Sequence, residues 1–296
     1  MHNFAIRMLL VGLFAASLGS QPALAQRTIT LDNEGCVLGL EALGKLVGAR
    51  VKASNTPQKV GGRCRANAVR LTSDAVTLQI DQMEWAAGGL TTLASGKMPA
   101  ALRLTLTGTY VTSAPGDDPV WSVLAAQMQG MDAELLLGFS SSENVLTIHR
   151  AQVDFQNNNV VTLNGSLGNV SPLVPENPVL GMASYLLNDL TLTVSNGLSA
   201  PNPVWEILQT AVSQEELEMF AVSAPKDLEN VLSDTDIRAL QNLIRDLPRP
   251  SGTLRLLVNS PVGYAFLRLV LVRNVGDLKT VLDGLEIHFS YGVQSN

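Results

Sequence analysis

Apolar and polar residues alternate in short runs along most of this chain. Val76, Leu78 and Ile80 alternate with Thr77, Gln79 and Asp81, as in a strand with one buried face. Met83 and Trp85 read as its continuation on the opposite face. Leu102, Leu104 and Leu106 alternate with Arg103, Thr105 and Thr107. Val145 to Phe155, Val160 to Leu167, Leu190 to Val194, Leu254 to Val258 and Leu285 to Tyr291 read as further strands. Phe266 to Val272 is a near-continuous apolar strand, and Thr28 to Leu31 a short one.

Helical spacing appears between these runs. Leu38, Leu40, Leu43 and Leu46 share one face of a helix over Val37–Val47. Gly88–Gly96, Pro178–Leu187 and Val275–Leu282 read as short helices, each set between two strands. The recurring unit is strand, one to three helical turns, strand. These connections are shorter than ordinary parallel crossovers, so they suit antiparallel pairing at least as well as parallel. Pro203 to Leu247 is mostly helical. Ser213-Gln-Glu-Glu216 and Ser233-Asp-Thr-Asp236 have capping-box form, and Leu247-Pro-Arg-Pro250 ends the segment. Arg50 to Arg65 reads as a polar loop.

The pattern predicts an α+β fold. It is strand-dominated, with a curved, mostly antiparallel sheet, short helices between strands and a helical segment near 203–247. That segment is suited to covering one face or one open end of the sheet.

The first residues follow another logic. Arg7 precedes an uncharged stretch from Met8 to Leu18, long enough for a signal h-region and too short to span a bilayer. Ser20-Gln21-Pro22 breaks it, and Ala23-Leu24-Ala25 supplies a small-x-small cleavage pattern. Residues 1–25 are therefore expected to be a signal peptide, cut between Ala25 and Gln26. No Cys sits at the cut to accept a lipid. Residues 26–296 are expected to form a single mature periplasmic domain, with 172–178 the place where it would sub-divide. Release beyond the outer membrane stays open. Removing residues 1–25 takes only Arg7 from the charge count, leaving 19 basic and 26 acidic residues and a balance of −7. With no basic stripe, nucleic acid is not an expected partner. No later run reaches the length of a transmembrane helix; the longest, Gly263 to Val272, is interrupted by Arg268.

Cys36 and Cys64 are the two cysteines. In an oxidising compartment an isolated pair is best read as one disulfide, here fastening the 50–65 loop to the helix start. Two free thiols or a redox pair are the other readings, though the spacing is not C-x-x-C.

Candidate chemistry is sparse. His149 reads as a partly buried strand residue among Val145, Thr147, Ala151 and Val153, and His288 as a solvated one. Asn164-Gly-Ser-Leu-Gly168 resembles a nucleophile elbow only by eye and reads as a strand turning at glycines. Asp117-Asp118 reads as the charged start of a helix over Val120–Met128. Trp85, Trp121 and Trp205 read as core residues. The spacing of His and Cys supplies no zinc set, and no phosphate-binding glycine motif is present. No catalytic residue, metal or cofactor is expected.

The segments Ile80–Gly108 (IDQMEWAAGGLTTLASGKMPAALRLTLTG), Leu186–Gly197 (LLNDLTLTVSNG) and Val275–Gly292 (VGDLKTVLDGLEIHFSYG) resemble periplasmic proteins of proteobacteria. More distantly they are similar to AsmA-like envelope proteins. That resemblance implies long sheets associated with outer-membrane lipid homeostasis. Pattern and resemblance together lead to the expectation of a non-enzymatic, periplasmic binding or carrier protein for an apolar or lipid ligand. The alternative is an envelope assembly or interaction module without a small ligand; a hydrolase is the remote one.

Overall fold

The computed structural model describes residues 32–292 apart from 47–48, 74–75, 114–128, 174–183, 198–201, 212, 229–231, 248, 266–267, 269–281 and 283. The cleavage point Ala25–Gln26, the strand at 28–31, Asp117-Asp118, the helix at 120–128 and Trp121 lie outside the described residues. So do most of the 178–187 and 275–282 helices and, Arg268 excepted, the apolar run 266–272.

The described chain opens with helix α1 (Asn33–Leu46) and strands β1 (Arg50–Ala53), β2 (Gln58–Val60), β3 (Arg63–Thr72) and β4 (Thr77–Ala86). Helix α2 (Ala87–Ala94) leads into β5 (Ala101–Ser113), β6 (Gln129–Ser140), β7 (Val145–Asp154), β8 (Val160–Gly168) and β9 (Leu186–Ser195). Helices α3 (Pro203–Ala211), α4 (Gln214–Asp227) and α5 (Asp234–Asp246) follow, then β10 (Thr253–Ala265) and β11 (Glu286–Gly292). All eleven strands form one open sheet in the order β1, then β3 through β11, with β2 also on β3. Every neighbouring pair is antiparallel. The strand-dominated, antiparallel α+β architecture expected from the sequence is present.

Several local expectations are corrected. Arg50–Arg65 is not a loop: it carries β1, β2 and the start of β3. Its strand character is masked because β1 and β2 are short edge strands, and the first half of β3 points only Cys64 and Ala66 into the core, Val69 and Leu71 following beyond residue 65. The disulfide therefore joins helix to strand. Strand β6 was not signalled by alternation, because Leu135, Leu136 and Leu137 are consecutive and Leu136 lies on the polar side. Asn164–Gly168 does not turn; it runs straight through β8, paired on both sides. Leu186 and Leu187 belong to β9 rather than to a helix, pairing with Gly168 and Leu167.

Met83 and Trp85 share the face of Leu78 and Ile80, contrary to expectation. The alternation switches between Ile80 and Met83, and equally between Ala66 and Val69 on β3 and between Leu106 and Thr109 on β5. Ala68 (φ 46°) and Gly108 (φ 61°) mark that line. A Cβ on Gly108 would overlap the Asp81 carboxylate, so both space and backbone require glycine there. The irregularity ends as a bulge against β6, where Gly108 N donates to Asp132 Oδ1 at 2.9 Å. Such bulges bend a sheet locally and increase its twist.

Both ends of the sheet are protected by side chains from helix starts. On β2, Lys59 N donates to Asn33 Oδ1 of α1 at 2.9 Å. On β11, Phe289 N donates to Asp236 Oδ1 of α5 at 2.8 Å. Strand-edge amides otherwise invite pairing with another chain.

Candidate functional site

The strand register segregates the two faces of the sheet completely along its middle. Cys64 pairs with Trp85, Trp85 with Leu104, Leu104 with Leu135, and Leu135 with Ala151. Ala151 pairs with Leu163, Leu163 with Leu192, Leu192 with Leu256, and Leu256 with Phe289. This apolar row crosses from β3 to β11 without a break. A parallel row, Ala66, Met83, Leu106, Ala133, Val153, Val161, Val194, Leu254 and Tyr291, does the same. The row between them projects to the other face: Arg65, Glu84, Thr105, Glu134, Gln152, Thr162, Thr193, Arg255 and Ser290. Period-two alternation, repeated in register strand after strand, makes one face an apolar floor.

Helices cover this floor at its two ends. Cys36, Leu40 and Leu43 of α1 and Leu90 of α2 pack with Cys64, Ala66, Met83, Trp85 and Leu104. Gly39 lets α1 approach closely, since a Cβ there would stand 2.9 Å from Trp85 Nε1. The Cys36–Cys64 disulfide fixes α1 to β3, both sulfur-bearing residues being buried. At the other end Trp205 of α3, Leu217 of α4 and Leu243 and Ile244 of α5 pack with Val194 and Leu254. Phe289 and Tyr291 join that cluster from β11. Trp85 and Trp205 are thus core residues, as expected.

Between the two covers, Ala151 and Leu163 are half-buried and belong to neither cluster. Small inward residues fall on adjacent strands here: Ala133, which packs against the first cluster, Ala151, and the buried Gly165. Sequence reasoning identified the individual alternating strands but not this central stretch. Its visible signal is the small residue placed among Leu and Val at inward positions.

Both capping boxes form. Ser213 N and Oγ donate to Glu216 Oε2, and Glu216 N returns to Ser213 Oγ. In α5, Ser233 N and Oγ donate to Asp236 Oδ2 at 3.0 and 2.5 Å, and Asp236 N donates to Ser233 Oγ at 3.2 Å. Burial would raise the Asp236 carboxyl, but the bonds from Ser233 Oγ, Phe289 N and Ser233 N, with His288 alongside, hold it below the ordinary range.

The histidines fall on the polar side. His288 is well exposed, its Nδ1 3.9 Å from Asp236 Oδ2. Ser233, Asp236 and His288 are therefore neighbours, but the serine hydroxyl donates to the carboxylate and not to the imidazole. That is the connectivity of a helix cap, whereas a nucleophilic serine is activated by the base it donates to. His149 is not partly buried as expected. It occupies a bulge of β7, exposed, with Nε2 over Gly138; Ala151 and Val153 lie beyond the bulge on the apolar face. Ser166 Oγ donates directly to Asp189 Oδ2 across β8 and β9.

Among the described residues, no three His, Cys, Asp or Glu side chains converge as metal ligands, and no helix is long and apolar enough to cross a membrane. Comparison with protein-family models, curated proteins and solved structures returns no match.

Proposed function

We propose that this chain is an exported, non-enzymatic carrier that lays an apolar molecule, a lipid or one of similar character, against the Leu/Val floor of its sheet. The observation that carries this reading is the unbroken row from Cys64 to Phe289, helix-covered at both ends and half-buried at Ala151 and Leu163. A domain that needed only a core would bury its apolar face evenly. Here the half-buried Ala151 stands between Leu135 and Leu163 in that row, a short side chain among longer ones, which suits a flat or chain-like apolar guest.

Export belongs to the same reading. Residues 1–25 have the order of charge, apolar run and small-x-small site of a signal peptide. The Cys36–Cys64 bond suits an oxidising compartment such as the periplasm. Partnership through sheet edges, the rival reading, is less well supported, because Asn33 and Asp236 occupy edge amides at both ends.

The test is a titration with the neutral apolar dye N-phenylnaphthylamine. Saturable fluorescence enhancement is expected for the native protein. Ala151→Phe places a large side chain between Leu135 and Leu163 and is expected to weaken binding about tenfold or more. A native protein that gives no saturable enhancement, or a folded Ala151→Phe variant that binds as well as the native one, contradicts the proposal.

A further inference from the structure

The polar face carries a charge arrangement that the carrier reading does not use. Arg63 Nη1 lies 3.3 Å from Glu84 Oε2, and Arg65 Nη2 2.6 Å from Glu84 Oε1. One strand further on, Arg103 Nη2 lies 2.9 Å from Glu134 Oε1, and Arg150 Nη1 3.5 Å from Glu134 Oε2. These are two arginine–glutamate–arginine groups side by side across β3 to β7. Each has one guanidinium in excess, on a chain whose overall formal charge is −6.

The carboxylates sit beneath the guanidiniums. Glu84 is 16% exposed at its side chain, whereas Arg63 and Arg103 are 51% and 47% exposed. Glu84 also accepts from Gln82 Nε2 at 3.0 Å, so both its oxygens are engaged. Its carboxyl is held below the ordinary range, first by the hydrogen bond from Arg65. It therefore acts as a brace for Arg63 and Arg65, as Glu134 does for Arg103 and Arg150. A sheet that needed only cross-strand pairing would be served by one arginine per glutamate, and exposed pairs of that kind add little stability.

Arg63 and Arg103 line a recess of about 240 Å³ together with Gly62, Glu84, Trp85, Ala86 and Thr105. A Cβ on Gly62 would meet no atom within 4 Å, so one side of the recess is open. The volume lies below the range of pockets for drug-sized ligands. The planar guanidinium fork matches the oxygen spacing of phosphate and carboxylate.

We propose that this recess binds a small oxyanion, a phosphate monoester or a carboxylate, between Arg63 and Arg103. It stands on the face opposite the apolar floor and is independent of the carrier reading. The experiment is isothermal titration at low ionic strength with inorganic pyrophosphate and, separately, with succinate. Saturable binding of either supports the site, and the tighter of the two assigns the anion class. Arg63→Gln with Arg103→Gln is expected to weaken that binding about tenfold or more. Arg245→Gln, at an exposed position of α5, is expected to leave it unchanged. Gly62→Glu keeps both arginines and places a carboxylate at the open side; it too is expected to weaken binding, which serves if the double variant does not fold. Absence of saturable binding for both anions overturns the proposal. So does equal weakening by Arg245→Gln, which marks diffuse charge attraction.

Discussion

Asp236 Oδ1 accepts the backbone N–H of Phe289 at 2.8 Å, across 53 positions of sequence. The same carboxylate closes the capping box of α5 through Oδ2. One side chain thus begins a helix and ends a sheet. Tyr291 adds a second tie, its hydroxyl donating to Asp246 Oδ2 at 2.7 Å at the other end of α5. Replacing Asp236 by Ala removes the cap and leaves the Phe289 amide without its acceptor. The expected cost is about 2–4 kcal/mol, the cap and the stranded donor combined. Urea denaturation measures it, and hydrogen exchange at Phe289 should quicken in the same variant.

Acid should weaken this junction and, at the other end of the sheet, the Glu84 pairing with Arg63 and Arg65. The carboxyls of Asp236 and Glu84 are both held below their ordinary values in the folded chain, Asp236 by its hydrogen bonds against burial and Glu84 foremost by Arg65. A lowered folded pKa means that the unfolded chain binds protons more readily. The stabilisation is therefore complete above the unfolded values near pH 4 and is lost as pH falls through the lower folded values. Denaturation midpoints should stay level from neutral pH to about pH 5 and fall below about pH 4. Asp236→Asn should flatten part of that fall.

Thr109 offers a change in the opposite direction. Its side chain is fully buried on the apolar face, on a residue that pairs with Ile80 and Met131, and its hydroxyl has no hydrogen-bond partner among the described residues. Valine has nearly the same shape without the polar atom. Thr109→Val is expected to stabilise the protein by about 1–2 kcal/mol, read as a higher urea midpoint at an unchanged slope.

The disulfide holds α1 over β3 and closes a loop with a sequence separation of 28. Cys36→Ser with Cys64→Ser is expected to cost about 2–4 kcal/mol. A reductant added to the unfolded native protein should lower its stability by a similar amount, while the double variant should be indifferent to reductant.

What was legible in the sequence was local. Leu102, Leu104 and Leu106 announce β5 because their alternation needs no partner to be seen. Ser233 and Asp236 announce the start of α5 because a capping box spans four residues. β3 was hidden because α1 packs so closely on it that Cys64 and Ala66 suffice as core residues. β6 was hidden by Leu136, an apolar residue on the polar face. The switches at Ala68, Asp81 and Gly108 reverse the inward parity within three strands, so strict alternation from Leu78 and Ile80 puts Met83 and Trp85 on the wrong face. The apolar floor and the paired arginine groups depend on register between strands. Arg103 and Arg150 meet at Glu134 only because β5, β6 and β7 align so, and no single stretch of sequence contains that alignment.

The carrier reading is tested most directly by native mass spectrometry of the protein released gently from the cell envelope, beside its Ala151→Phe variant. The account predicts a bound apolar species as an added mass on the native protein, absent from or strongly reduced in the variant. A native protein that carries only its own mass, or an adduct equally present on the folded variant, would contradict it.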